Sequence, residues 1–426
     1  MNISQCFGGF RSSRNVFQYA CLRRPRNGQK LSTSLVLQKL GLQDVSDSRP
    51  VPKMSGVSNS ELGERLEKFR EVAVLPRHLA KNQQVLVYNK KYASMLENEK
   101  IIARIAGEEF RLKYINVIKD IPRMKMFLYD ILPLMKEKED WRVLPNILHG
   151  LKNTGFKLKL PIAEKLVRTA CINGRQNVIL ECLRRTKDTG MDLSQPNFTK
   201  TVLFWICFKA IEQDQSIECV SKSLSMAEQI LEMLEDEKYT GSKYKDVSTH
   251  QRNHPEILGI PLCIAAFRAS KFKDNKDKDF QVAKYATEFV CKSVATPLLP
   301  SSDTITQAQT VQDLENKVKN LRNTQKDQEL TKAIKSRNYE REILKSRIAK
   351  LLHWLMINIL VVKGIRLALP ILGPTFQHKQ QLQERLAELE KNNESIQSVW
   401  REVHTIQGKD PQSFIMSKLL RLDTYT

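Results

Sequence analysis

The segment Asn153-Thr154-Gly155-Phe156-Lys157-Leu158 has a counterpart 35 residues later in the chain, Asp188-Thr189-Gly190-Met191-Asp192-Leu193. Between the two segments the apolar side chains follow helical spacing, without the alternation that marks a strand. An interval of this length is typical of helical hairpins that bury their apolar faces by stacking on one another. The sequence therefore predicts an all-α fold, a right-handed α-solenoid of helix-turn-helix repeats with a C-terminal helical region.

The stretch from Cys171 to Gly190 resembles the second half of a pentatricopeptide repeat (PPR). In that family a Gly-Arg or Gly-Lys turn opens the second helix and another glycine follows sixteen residues later, as Gly174 and Gly190 do here. Glycine suits both positions because a helix commonly ends on a residue with positive φ. The resemblance implies PPR-like helical repeats over residues 126–295.

In PPR proteins that read RNA, one residue near the start of the first helix and one at the end of the repeat select the base. The resemblance assigns these roles to Tyr129 with Lys159 and to Glu164 with Ser194, which are not the Asn or Thr with Asp or Asn pairs of base-reading repeats. It therefore implies the repeat fold better than it implies a base code. Candidates for base stacking or phosphate contact are Tyr129, Lys159, Lys165, Arg168 and Lys200. A solvated helix face or a core aromatic is the alternative interpretation of each.

The first 48 residues predict where the protein is located. Seven basic residues and no acidic residue occur before Asp44, mixed with serines and scattered apolar side chains. This composition is typical of a mitochondrial transit peptide, although a disordered basic tail is the alternative. We expect residues 1–48 to be a disordered leader that is removed when the protein reaches the mitochondrial matrix.

The net charge of the chain indicates the kind of partner. The formal charge is +22, and +15 remains without the seven basic residues that precede Asp44. An excess of this size favours polyanions, meaning RNA, DNA or an anionic membrane surface, because neutralised phosphates release their counterions. Together with the predicted repeats, the charge makes mitochondrial RNA, either mRNA or rRNA, the leading partner. The mitochondrial ribosome and other mitochondrial proteins are further expected partners.

Four other regions are predicted on either side of the repeats. Residues 59–125 are expected to form an N-terminal helical region, and Pro133 is expected to kink or end the helix that contains it. Residues 296–310 have the composition of a linker. A long basic helix is predicted over 311–350, with two heptads that indicate a short coiled coil. Residues 351–426 are expected to form a C-terminal helical region.

The most apolar run of the chain extends from Leu351 to Val362. It is too short for a membrane span, which needs about 20 apolar residues. We interpret it as a buried helix and expect no transmembrane span. Basic residues on both sides leave peripheral contact with the inner membrane open.

No catalytic, cofactor-binding or metal-binding motif stands out. His250 and His254 are four residues apart but are predicted on a polar loop before Pro255, where helical metal-ligand geometry is missing. None of the eight cysteines forms a CxxC pair, so they are interpreted as small apolar side chains in a reducing compartment. The chain is therefore predicted not to be an enzyme and to need no cofactor.

Three functions remain open at the level of sequence. The first is a mitochondrial RNA-associated helical-repeat protein that supports transcript stability, processing or translation by non-catalytic binding. The second is a structural protein of the mitochondrial ribosome, or one associated with it. The third is a protein-only scaffold or assembly factor for a respiratory complex. The imperfect base code favours the second and third over a precise reader of bases.

Overall fold

The computed structural model describes residues 51–105, 107–212, 216–241, 251–292, 302–322 and 327–406. The predicted transit peptide lies outside these residues. The described chain is mostly helical, with a single two-stranded sheet, and this confirms the all-α fold class. The solenoid and its right-handed sense stay predictions.

Short helices form the first part of the described chain. They are α1 (Ser60–Phe69), α2 (Leu75–His78), α3 (Lys81–Tyr88) and α4 (Ala93–Asn98). Helix α1 begins where it does because the side chain of Asn59 accepts hydrogen bonds from the backbone N–H groups of Glu61 and Leu62. A π-helical turn, Arg70–Val74, joins α1 to α2.

A β-hairpin interrupts the N-terminal region that was predicted to be helical. Strands β1 (Ile102–Ile105) and β2 (Glu108–Arg111) pair antiparallel. The prediction of an all-helical region was wrong here because the apolar side chains of β1 alternate, with Ala103 and Ile105 buried, and because Gly107 supplies a turn residue with φ of +84°. The buried face of the hairpin packs with α2, α3 and α4 in a small core of its own.

The middle of the chain contains nine helices in the described residues. They are α5 (Met124–Ile131), α6 (Lys138–Arg142), α7 (Leu144–Asn153), α8 (Leu160–Ile172), α9 (Gln176–Arg184), α10 (Thr186–Thr189), α11 (Pro196–Glu212), α12 (Ile217–Met233) and α13 (Glu237–Thr240). Helix α5 ends just before a 3₁₀ turn, Leu132–Leu134, that contains Pro133. The expected effect of Pro133 on its helix is thus confirmed.

The three glycines that mark the predicted hairpins all lie in turns. Gly155, Gly174 and Gly190 have φ angles of +84°, +69° and +70° and follow α7, α8 and α10. At Gly174 the backbone N–H donates to the carbonyl of Cys171 over 2.9 Å, which ends α8. A side chain at these positions would be strained, so the sequence marked the helix ends correctly.

The last described helices are long. They are α14 (Pro255–Phe272), α15 (Gln281–Lys292), α16 (Ser302–Arg322), α17 (Asp327–Leu372) and α18 (Lys379–Ile406). In the main core α8 packs on α11, α11 on α14, and α14 on α17, while α12 and α15 pack against α14. These contacts form a continuous series from α8 through α11 and α14 to α17.

Residues 296–301 of the predicted linker lie outside the described residues, and the remainder of the linker is corrected by α16, which begins at Ser302. One face of this helix carries Thr304, Ala308 and Val311, whose side chains are buried. These small side chains let α16 pack closely on α17 and α18. Composition indicated a linker because small and hydroxyl side chains are common in loops. Here these side chains fill a helix interface.

The single basic helix predicted over 311–350 is also corrected. Residues up to Arg322 belong to α16, and α17 begins at Asp327 and continues to Leu372. The two helices pack on each other, and Arg341 of α17 pairs with Glu315 of α16 at 3.1 Å. The apolar run 351–362 is the middle of α17, so the predicted boundary at 350 falls inside a helix. The short coiled coil stays a prediction.

By length and composition, Gln328–Leu372 is the one described helix able to cross a membrane. Within the fold, however, 61% of its most apolar window is buried. The burial comes mainly from α14, which crosses α17 at two glycines: Gly259 faces Val361, and Gly364 faces Cys263. The second half of α17 is therefore a core helix.

Candidate nucleic-acid interface

The candidate Tyr129 lies on α5, where its ring is partly buried against the main core. Lys165 of α8 places its Nζ 3.7 Å from the centre of that ring, and the Nζ of Lys125 lies 5.6 Å from it. This is cation–π geometry, which holds the two helices together. The structure therefore brings Tyr129 and Lys165 together, but Lys165 covers a face of the ring that an RNA base would need.

Two other candidates, Lys159 and Arg168, are exposed at the start and middle of α8. Arg168 lies one turn beyond Lys165, so these cations share one side of the helix. Glu164 lies between Lys159 and Arg168 in the sequence. Burial raises the pKa of its carboxyl, while the charge of Arg168 counteracts that shift. The α8 surface thus offers exposed cations, with a carboxyl among them that weakens its attraction for phosphate.

Lys200 is not available for RNA and is corrected as a site residue. Its side chain is 12% exposed, and its Nζ lies 3.2 Å from Glu256, whose side chain is 3% exposed. Because buried charges are retained only when they are paired, this lysine belongs to the packing of α11 against α14. No local pattern indicated the pair, since Lys200 and Glu256 are distant along the chain.

His353 of α17 faces the same ion pair. Burial, and to a lesser extent the positive charge of Lys200, lower its pKa to about 4, although the charge of Glu256 opposes the shift. A hydrogen bond to the backbone of Asn197 also favours the protonated ring. The histidine is therefore neutral at physiological pH, and its buried Nε2 has no hydrogen-bond partner among the described residues.

This arrangement predicts a loss of stability in acid. Between the ordinary histidine pKa of 6.5 and the folded value of about 4, the unfolded chain binds a proton at His353 that the folded chain refuses. The free energy of unfolding should fall by about 3 kcal/mol as pH decreases through this window and then level off. Urea denaturation from pH 7 to pH 4 measures it. His353→Gln should lose this part of the pH dependence, and identical slopes for both proteins would contradict the prediction.

A basic surface that the candidate residues did not include lies on the first half of α17. Tyr339 is 67% exposed, and Lys332, Lys335 and Lys350 are also exposed. These four residues, named here the Tyr339 stripe, lie on one side of the helix because they are spaced close to whole numbers of helical turns from Lys332. No ion pair involves the three lysines within the described residues.

The rest of this half-helix explains why the stripe faces outward. Ala333, Leu344 and Leu351 are buried on another side of the helix, roughly 100–120° around the axis from Lys332. Neighbouring charges are already paired, Arg341 with Glu315 at 3.1 Å and Lys345 with Glu342 at 2.6 Å. An exposed aromatic ring among unpaired lysines can stack on a base while the ammonium groups contact phosphates. The helix that was predicted to be basic therefore carries a more exposed basic surface than the α8 candidates do.

Among the described residues, no group of three His, Cys, Asp or Glu side chains is placed to hold a metal ion. His254 precedes the first residue of α14, and His250 lies outside the described residues. The described chain thus combines a helical core with exposed basic surfaces. Those features define a class of protein that binds through surfaces, and the positive charge favours a polyanionic partner.

The sequence model of the family described as mitochondrial ribosomal protein mS27 matches residues 43–414. The chain therefore belongs to the mS27 family of mitochondrial ribosomal proteins. A similar protein is the small ribosomal subunit protein mS27 of Neurospora crassa, which is 32% identical over 227 residues. These residues are 52% of this chain and 57% of the relative, so the chain spans little more than half the length of the curated relative that it matches.

This finding corrects the resemblance to PPR proteins, because the matching family is mS27. The three turn glycines are correctly placed, yet glycine at the end of a helix is a general feature of helical hairpins and does not identify a family. Family membership also confirms the mitochondrial location, and it supports the prediction that the chain is not an enzyme.

Proposed function

We propose that this chain is a structural protein of the small subunit of the mitochondrial ribosome, where it binds ribosomal RNA in the matrix. The observation that carries the proposal is the mS27 family match over residues 43–414. The relative is named a small-subunit protein, and we propose the small subunit for this reason. The Tyr339 stripe supplies an RNA-binding surface on the outside of the fold.

The proposal favours the ribosome over the two other functions that the sequence left open. A transcript-specific factor would need side chains that read bases, whereas the exposed groups of the stripe are lysines, which contact phosphates without regard to sequence. A protein-only scaffold is less favoured, since lysine is depleted in the cores of protein interfaces. An electrostatic platform on rRNA uses both the lysines and the exposed tyrosine of the stripe.

The location in the matrix and the removal of residues 1–48 belong to the same proposal. The family match leaves out most of the predicted leader because it begins at residue 43. Mass spectrometry of the N-terminus of the protein purified from mitochondria tests the leader. A mature chain that still begins at Met1 would contradict it.

The ribosomal assignment is tested by sedimentation. A tagged chain is expected to migrate with the small subunit on a sucrose gradient of mitochondrial lysate, and depletion of the chain should reduce synthesis of all mitochondrially encoded products alike. Migration with a respiratory complex, or loss of a single product, would reject the proposal in favour of an assembly factor or a transcript-specific factor.

The role of the Tyr339 stripe is tested by salt titration. The purified chain is titrated with an in vitro transcript of the small-subunit rRNA from the same mitochondria. Substituting Lys332, Lys335 and Lys350 together with alanine should flatten the dependence of log affinity on log salt by about two units, because each phosphate contact on a single strand contributes about 0.7.

The matched control uses the same helix. Arg341→Ala with Lys345→Ala removes two cations that are already paired with Glu315 and Glu342. This control should change the salt dependence much less than the triple substitution. Equal effects of the two variants would mean that general charge, and not the stripe, binds the RNA.

A further inference from the structure

The loop between α14 and α15, residues 273–280, has an unusual backbone. The positive φ angles of non-glycine residues in the described chain all occur here, at Asp274 (52°), Asn275 (57°) and Phe280 (54°). Asp and Asn adopt this left-handed region at low cost, but a bulky aromatic residue does so rarely. The strain at Phe280 therefore calls for a reason, and strained residues concentrate at functional sites.

Phe280 has no role in the packing of the fold. Its side chain is 76% exposed, and it is absent from the apolar side chains that pack against the main core. It directly precedes α15, a position where Ser, Thr, Asp or Asn usually caps the helix. Here the cap comes from further upstream, because the carboxylate of Asp277 accepts from the backbone N–H groups of Val282 (3.1 Å) and Ala283 (2.8 Å).

A second of the three acidic residues of the loop, Asp279, holds the loop in place. The Oδ2 of Asp279 accepts hydrogen bonds from the guanidinium of Arg268 and, at 2.7 Å, from the Nζ of Lys273. Arg268 lies in the last turns of α14 and Lys273 directly follows that helix, so the loop is tied to the helix before it and capped onto the helix after it. Phe280 is thus presented by a preorganised loop, which reduces the entropy lost on binding.

The charge around Phe280 selects the partner. Residues 268–284 contain six basic and three acidic residues, and two of the acids, Asp277 and Asp279, are engaged within the loop. Lys276, Lys278 and Lys284 are exposed, as is the remaining acid, Asp274. The exposed surface therefore favours an anion, and the single aromatic ring on it favours an anion that carries a flat apolar face.

We propose that Phe280 stacks on an unpaired base of RNA while the neighbouring lysines contact the flanking phosphates. Stacking on aromatic side chains is the usual way in which proteins hold a splayed nucleotide. A pocket in a partner protein is the less favoured occupant, because lysine-rich surfaces are uncommon at the centre of protein interfaces. The inference rests on the proposed function in that RNA is the partner, but it concerns a separate surface from the Tyr339 stripe.

Substitutions at Phe280 separate binding from folding. On the small-subunit rRNA transcript, Phe280→Ala and Phe280→Gly should weaken binding about five- to a hundredfold, whereas Phe280→Trp should retain it because the larger ring stacks as well. The Gly variant should have a Tm no lower than that of the unchanged protein, since glycine adopts this φ without strain. Loss of affinity then cannot be attributed to unfolding.

The matched control is Ile217→Ala. Ile217 is another exposed apolar side chain, 41% accessible, but it lies beside Glu218. This control should bind the transcript like the unchanged protein. If Phe280→Ala also binds like the unchanged protein, or if Phe280→Trp loses as much affinity as Phe280→Ala, the stacking proposal is overturned.

Crosslinking in the organelle identifies the occupant. A photoreactive p-azidophenylalanine is placed at position 280 of the tagged chain, mitochondria are irradiated, and the position of any RNA adduct is mapped by reverse transcription. A discrete adduct at an unpaired small-subunit rRNA nucleotide supports the inference. An adduct to protein alone, or no adduct, rejects it even when the chain sediments with the small subunit. Failure to sediment there would instead reject the proposed function.

Discussion

Lys200→Met is expected to lower the free energy of unfolding by about 3–5 kcal/mol at neutral pH. Methionine has nearly the shape of the lysine stem but no charge, so the carboxylate of Glu256 would lose its partner at 3.2 Å while its side chain stays 3% exposed. A buried carboxylate without a counter-charge is costly, because nothing replaces the hydration that it has lost. Urea denaturation of the full chain at pH 7 measures the effect.

The double variant Lys200→Met with Glu256→Leu should recover most of this loss. Replacing a buried ion pair by apolar residues of similar volume is often neutral or stabilising, whereas removing one partner is not. The difference between the double variant and the sum of the single variants gives the coupling energy. Arg184→Met serves as the control, because the 3.8 Å pair of Arg184 with Glu181 is solvent-exposed and should contribute less than about 1 kcal/mol.

The same variants show whether Lys200 belongs to the fold or to an RNA surface. A buried lysine that only supports packing should change stability while leaving the salt dependence of RNA binding unaltered. Lys200→Met could instead cost no more stability than the Arg184 control and reduce the dependence of RNA affinity on salt. In that case Lys200 contacts RNA, and the assignment of Lys200 to a buried ion pair with Glu256 is wrong.

The features of the fold that could be predicted are those that local chemistry decides. Gly155, Gly174 and Gly190 lie in turns with positive φ, and Pro133 follows the end of α5, because the backbone of these residues permits few alternatives. The family could not be predicted from the same residues. Helical hairpins of many families end on glycine, so a shared turn does not distinguish one family from another.

Elements that depend on a distant partner were missed. The predicted linker contains the start of α16, which is helical because Ala308 and Val311 are buried where α16 packs on α17 and α18. The hairpin of β1 and β2 escaped notice because its short strands lie within a region of helical pattern. In both cases the packing surface supplies the free energy that the local sequence lacks, as tertiary contacts often override propensity.

The candidate site also contains one feature that depends on a distant partner and one that local sequence decides. The buried pairing of Lys200 could not be predicted, since its partner Glu256 is on another helix whose apolar residues extend around most of its circumference. The Tyr339 stripe could have been predicted, because Ala333 and Leu344 follow the helical period on a different side of the helix from Tyr339. The position of those apolar residues was the available signal.

Gly364→Ala is expected to destabilise the fold by about 1–3 kcal/mol, although alanine usually stabilises a helix interior by about 1 kcal/mol relative to glycine. A Cβ on Gly364 would lie 2.6 Å from the Cα and 2.9 Å from the backbone N of Cys263. Backbone atoms cannot rotate out of the way, so α14 and α17 would have to separate along their shared apolar surface. Gly364→Val should cost more, because two further methyl groups enter the same contact.

Two matched substitutions distinguish this close contact from a general effect of alanine. Gly63→Ala should be neutral or mildly stabilising, because its Cβ would meet only the side chain of Val57 at 3.4 Å. Gly259→Ala should destabilise, since its Cβ would lie 2.5 Å from Cγ1 of Val361, but Val361→Ala should rescue it by removing that atom. No side-chain truncation can rescue Gly364→Ala in the same way, because its clash is with backbone. Thermal unfolding of the five variants that carry these substitutions, Gly364→Val included, tests whether close approach to α14 holds the core helix α17 in place. A Gly364→Ala protein as stable as the Gly63→Ala protein would show that it does not.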